Sequence, residues 1–241
     1  MTPSFCVISQ EVPEEMRRTL RQSFEDVIPL PPDDELAPPV SCHPDMIFAV
    51  LDGCMFLSAR YYERNTAVID RIALLGGLTV CPEEIVRNER YPNDVAFNIA
   101  VWRDAVICRP DVSCRALLTF AEERGYRIVP VKQGYTGCSC LVTDDAVLTF
   151  DRGIAKVLER EKIPCVRLTE GGVNLPGYGN GSGFIGGAGG FCGGTVYLCG
   201  NADSLPCAAP IKAAGHRIVS LSSAPVTDYG GIKIFKLHRK S

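Results

Sequence analysis

The chain has 241 residues, enough to bury a sizeable core. Its 25 Lys and Arg against 28 Asp and Glu, with no long basic run, argue against a nucleic-acid partner, because phosphate contacts dominate that kind of affinity. No apolar segment approaches the ~20 residues needed to cross a bilayer. The start lacks the pattern of an export signal, since the short apolar run ending at Ile8 is followed by Glu11, Glu14 and Glu15. A cytoplasmic protein is therefore expected. In that setting the twelve cysteines read as buried small hydrophobes and free thiols. Paired CxxC or HxxxH spacings are missing, so neither a metal nor another cofactor is expected.

In chain order, "SFCVIS" reads as a strand, "PEEMRRTLRQSF" as a helix and "DVIPLP" as a second strand. Residues 29–39 are rich in proline and read as an extended linker. From residue 43 one order repeats: strand, hairpin turn, strand, helix, strand. The first unit is "CHPDMIFAVLDGCMFLS", with a hairpin turn at Asp52-Gly53, then a helix in "ERNTAVIDRIALLGG" and the strand "LTVCP". The apolar stripe Val68, Ile72 and Leu75 marks that helix, and Gly76-Gly77 stops it. The second unit is "NDVAFNIAVW", "RDAVICRP", "CRALLTFAEERG" and "YRIVPV". The third is "GCSCLVTDDAVLTF", "IAKVLEREK" and "PCVRL". The fourth is "GSGFIGGAGGFCGGTVYLCG", a weaker helix around "LPCAAPIKAAGH", and "RIVSL".

Met46, Val95, Ser139 and Phe184 are taken as equivalent first-strand positions, 44 to 49 residues apart. A fifth unit opens with "GGIKIFKL" and is completed by the N-terminal strand, helix and strand. Joining both termini in one blade closes a ring and removes exposed sheet edges. The expected fold is a single-domain five-bladed α/β-propeller over residues 1–241. Its blades are 43–88, 91–133, 134–179, 180–229, and 230–241 with 3–34.

Five such units in this order resemble the guanidino-group-modifying (pentein) superfamily, nearest to its dimethylarginine dimethylaminohydrolase and arginine deiminase branch. Asn93-Asp94 stands where that branch opens a blade, Arg109 where its second strand ends, and His43-Pro44-Asp45 at the preceding blade mouth. "VPVKQG", residues 129–134, is similar to the join into the family's next blade. The resemblance implies a cysteine nucleophile near the C-terminus, a histidine from the middle blade and carboxylates around a cation. This chain instead reads Gly230, Gly231, Ile232, Lys233, Ile234 and Phe235 in the last hairpin, and its final cysteine is Cys207. The middle blade opens with Gly134, Tyr135, Thr136, Gly137 and Cys138, without histidine.

The leading expectation is thus a catalytically divergent member that binds a small polar, guanidino or amino-acid-like ligand. Asp45 and Asp94 would face the cation, or else simply cap turns. Arg109 would clamp a carboxylate, or pair with Asp111 or Asp94. An enzyme with relocated chemistry would use Cys138 or Cys140 as nucleophile and His43 as base, against the reading of packed thiols and a solvated turn histidine. His216 and His238 read as exposed. Lys233, Lys236, His238, Arg239 and Lys240 read as a solvated tail. A protein-interaction module is the third class. The nine glycines of residues 178–194 lack the ending of a P-loop and read as close backbone approach near an axis.

Overall fold

The computed structural model describes residues 3–178 and 183–238. Its elements run β1 Ser4–Ser9, α1 Glu14–Leu20, β2 Asp26–Leu30, α2 Pro44–Ile47, β3 Phe48–Leu51, β4 Cys54–Ser58, α3 Ala59–Gly76 and β5 Thr79–Glu83. They continue with β6 Ala100–Trp102, β7 Ala105–Cys108, α4 Arg115–Glu123, β8 Arg127–Pro130, α5 Thr136–Ser139, β9 Cys140–Val142, β10 Val147–Thr149, α6 Arg152–Arg160 and β11 Cys165–Arg167. The last are β12 Gly189–Cys192, β13 Thr195–Leu198, α7 Ala208–Ala213, β14 Arg217–Ser220 and β15 Lys233–Lys236.

Among the described residues this α/β chain forms five three-stranded sheets: β3-β4-β5, β6-β7-β8, β9-β10-β11, β12-β13-β14 and β15-β1-β2. In each the first strand runs antiparallel to the second and the second parallel to the third, so a helix must carry the chain across. The local signals act as their chemistry requires. Asp52 and Gly53 both take positive φ, 46° and 76°, to close the two-residue hairpin that pairs Leu51 with Cys54. Ser58 caps α3 by accepting from the Tyr61 N–H, and Gly77 ends it at φ 62°. Asp151 caps α6 with a 2.8 Å bond from the Ile154 N–H.

The two ends of the chain meet in the fifth sheet, where Phe5 pairs with Phe235 and their rings stack at 5.3 Å. First strands also touch one another, β9 against β6 and β12, and β12 against β15. All five sheets contribute their first strands to one cavity of about 310 Å³, walled by residues such as Ala49, Val101, Leu141, Gly190 and Ile234.

Several expectations need correction. Met46, Val95, Ser139 and Phe184 precede their strands: Met46 and Ser139 lie in the short helical turns α2 and α5, and the strands begin at Phe48, Ala100, Cys140 and Gly189. A residue buried in a turn gives the same pattern as the first residue of a strand, and apolar Met46 and Val95 and polar Ser139 are all buried. The proline-rich segment is not a free linker. Buried Asp33 and partly buried Glu35 hold the buried Arg87 guanidinium, which also donates to the Met46 carbonyl at 3.2 Å. His216 is buried, edge-on to Phe191 at 5.1 Å between ring centroids. His43 is buried as well, at 4 % exposure, so it is not a solvated turn residue. His238 is exposed, while Lys233 and Lys236 belong to β15 and Arg239 and Lys240 lie outside the described residues. Of the glycine-rich stretch, residues 179–182 also lie outside them.

Candidate functional site

The short turns that precede the first strands bring polar side chains from four units into one buried cluster. Asp45 stands on α2, and His43 is the residue just before that turn, held extended by Pro44. Asn98 comes from the loop ahead of β6, Cys138 from α5, and Asp228 from the loop ahead of β15. All five are buried. Asn98 is the hub: its Nδ2 donates to the Asp45 carbonyl at 3.0 Å and to Cys138 Sγ at 3.0 Å, and its Oδ1 accepts from the Cys138 N–H at 3.1 Å. Asp228 accepts from the backbone N–H groups of Phe184 and Gly230, at 2.9 and 3.0 Å, and its Oδ1 lies 3.8 Å from His43 Nδ1.

Asp45 differs from its neighbours. Neither of its carboxylate oxygens accepts a hydrogen bond in good geometry, and both are buried. The Cys138 thiol and the Asp228 carboxylate stand near enough to feel its charge. An unpaired buried carboxylate is costly, by about 1–3 kcal/mol or more.

The electrostatics follow from burial and like charge. Desolvation, then the field of Asp45, pushes Asp228 up to about 7, while its two backbone hydrogen bonds act the other way. Desolvation lowers the His43 imidazole, with Asp45 opposing, which favours the neutral ring. Desolvation and the carboxylates of Asp45 and Asp228 drive the Cys138 thiol well above its ordinary range. A nucleophilic cysteine needs a cation or helix N-terminus to lower its pKa, and this environment does the reverse. Cys140 is equally held as a thiol by desolvation, and it packs with Trp102, Val147 and Leu158 in the core.

Asp94 and Arg109 form a second group. Asp94 is buried, and its Oδ2 accepts from the Tyr135 hydroxyl at 2.7 Å, while Oδ1 is buried without a partner. Desolvation raises its pKa and the Tyr135 bond lowers it. The Tyr135 ring packs against Tyr91 at 5.2 Å, and the Tyr91 hydroxyl accepts from Arg109 at 2.8 Å. Arg109 also makes a two-pronged pair with Asp111, at 3.0 and 2.8 Å. Its charge is thus matched by Asp111, one of the two arrangements expected from sequence.

Glycine makes room for the cluster. A Cβ on Gly187 would collide with the Asp228 carboxylate, and one on Gly186 would collide with backbone carbonyls of the third unit. Gly187 is also a junction, donating to the Cys138 carbonyl at 3.0 Å and accepting from Tyr229 and Gly231 at 3.0 and 2.7 Å. Sequence reasoning missed Asp228, Asn98 and Tyr135. Asp228 had a signal: it precedes the fifth unit's Gly230-Gly231 as Asp45 and Asp94 precede the first strands of theirs.

The arrangement has solved relatives. Pseudomonas aeruginosa DDAH, as a Cys-to-Ser variant complexed with citrulline, superposes with a TM-score of 0.57 at 12% identity, covering 92% of this chain and 93% of that one. A dimethylarginine dimethylaminohydrolase with a His-to-Gly change, as an adduct with S-methyl-L-thiocitrulline, gives 0.59 at 12% over the same shares. An adduct of dimethylarginine dimethylaminohydrolase with 4-chloro-2-hydroxymethylpyridine gives 0.56 at 13%, again over 92% and 93%. These likenesses define the class by fold: this is a DDAH-like, pentein fold. No curated protein matches the sequence. Within that class the chain belongs to a family of unknown function, DUF6873, which it matches over residues 7–233.

Proposed function

We propose that this protein binds a small cationic ligand, guanidino or amine in character, at the polar cluster of Asp45, Asp228, His43, Asn98 and Cys138. The observation that carries this reading is the Asp45 carboxylate, buried at 2 % exposure and met by no donor stronger than the neighbouring Cys138 thiol, beside a second buried carboxylate. A cation offers what that pair lacks, and burial makes the attraction far stronger than at a surface. We further read the five sheets as the blades of one propeller domain closed through both termini. The shared cavity of the five first strands supports this.

The protein is read as catalytically divergent. The last hairpin and the opening of the middle unit carry no Cys-His pair, and Cys138, the thiol inside the cluster, is kept protonated by burial and then by its carboxylate neighbours. The test is ligand-dependent thermal stabilisation by alkylguanidines and alkylamines, with Asp45→Asn as the control. A saturable rise in Tm that disappears in Asp45→Asn supports the reading. The same rise in the variant, or none in the parent, defeats it.

A further inference from the structure

A second cavity, of about 410 Å³, opens onto the cluster and is lined by Glu11, Pro38, Pro39, His43, Pro176, Gly177, Asp228 and Tyr229. Its two carboxylates lie at different depths: Glu11 is exposed and Asp228 is buried. Between them the walls are three proline rings and Tyr229, surfaces suited to methylene groups. No lysine or arginine lines it, and Arg109 is already matched by Asp111 and Tyr91. His43 points to a ligand independently. It is buried, it lines the cavity, and neither ring nitrogen has a hydrogen-bond partner among the described residues, Nδ1 standing 3.8 Å from Asp228.

We infer that the ligand is a short dication without a carboxylate, a diamine or amino-guanidine, with its inner charge at Asp228 and its outer charge at Glu11. This rests on the cation-binding reading above and narrows it. An α-amino acid would bring a carboxylate into a cavity whose charged walls are acidic, with only a neutral imidazole to meet it. A monoamine would forgo the modest ion pair that exposed Glu11 offers.

The experiment is calorimetric titration of the full chain with 1,4-diaminobutane, butylamine and ornithine, repeated in Glu11→Gln, with methylguanidine as a probe of the inner site alone. The diamine is expected to bind more tightly than butylamine by about three- to five-fold, the value of one exposed ion pair. Ornithine is expected to bind more weakly than the diamine by about ten-fold, from its unmatched carboxylate. Glu11→Gln should bring the diamine down to the butylamine level and leave butylamine and methylguanidine unchanged; Glu11 is exposed, so the variant keeps its fold. Ornithine equal to or tighter than the diamine, or a diamine advantage that survives Glu11→Gln, overturns the inference while cation binding stands. Methylguanidine binding without any diamine binding has the same meaning. If none of the four compounds binds, the cation-binding reading falls with it.

Discussion

Asp45 is a residue whose burial works against the stability of the fold that holds it. Its two oxygens are buried with only the weak Cys138 thiol donor against them, and its charge raises the proton affinity of Asp228. Replacing it with asparagine removes the charge at nearly constant volume. Asp45→Asn is therefore expected to stabilise the ligand-free protein by about 1–2 kcal/mol, a rise of roughly 3–6 °C in Tm for a chain of this size, while cation binding is lost. Differential scanning calorimetry checks this, and a fall in Tm would mean the carboxylate is a structural element. Asp228 gives the pH dependence. Its pKa is about 7 in the free protein, and a bound cation favours the ionised form, so binding expels a proton below that pH. Affinity for methylguanidine should fall by up to about ten-fold per unit as pH is lowered from 7, and level off above 8. The facing groups do not reverse the sign: Cys138 is neutral throughout this range, and His43, the other group to gain charge on acidification, adds a repulsive cation.

Among the elements, the short turns ahead of the first strands decide where the chemistry lies. α2 and α5 are four residues each, too short to be stable alone, and tertiary contacts hold them. Asn98 ties α2 to α5, and Gly187 ties the third, fourth and fifth units at the same level. Gly187→Ala should displace the Asp228 carboxylate, destabilise the fold by about 1–3 kcal/mol and abolish the cation response. Denaturant unfolding and ligand titration on the same variant measure both effects. An unperturbed variant would show that the fourth unit can move away from the axis without cost.

At the scale of the whole molecule, the sheet β15-β1-β2 carries the burden of joining the two ends of the chain. Its central strand is fully buried, and the Phe5 ring stacks on Phe235 from the other terminus. Phe5→Ala should cost about 3–5 kcal/mol, as a large core deletion does. If the five units form one cooperative domain, unfolding of the variant stays a single transition at lower denaturant, with fluorescence and circular dichroism coincident. Separate transitions for the fifth sheet and the rest would refute the single-domain reading. The likeness to the DDAH structures over 92% of the chain concerns this architecture, and at 12–13% identity it carries no chemistry by itself.

What the sequence determined by itself was the order of the elements and their pairing. Period-2 and period-3.6 apolar patterns, Asp52-Gly53 and Gly77 are local signals that act within a few residues, and the strands of the described residues follow their order, with the first strands beginning one to five residues later than expected. It also brought Asp45, His43 and Cys138 forward as candidates, because each stands just ahead of an expected first strand. Only the tertiary structure decided what these groups are to one another. Whether Asp45 is paired, whether His43 is wet, and whether a carboxylate or an arginine faces Cys138 depend on side chains 40 to 185 residues apart meeting at one point, and no local pattern encodes that. The Arg87 ion pairs escaped notice for the same reason, and the place of Asp228 ahead of Gly230-Gly231 marked a candidate without showing its burial, which exists only once the chain has closed on itself.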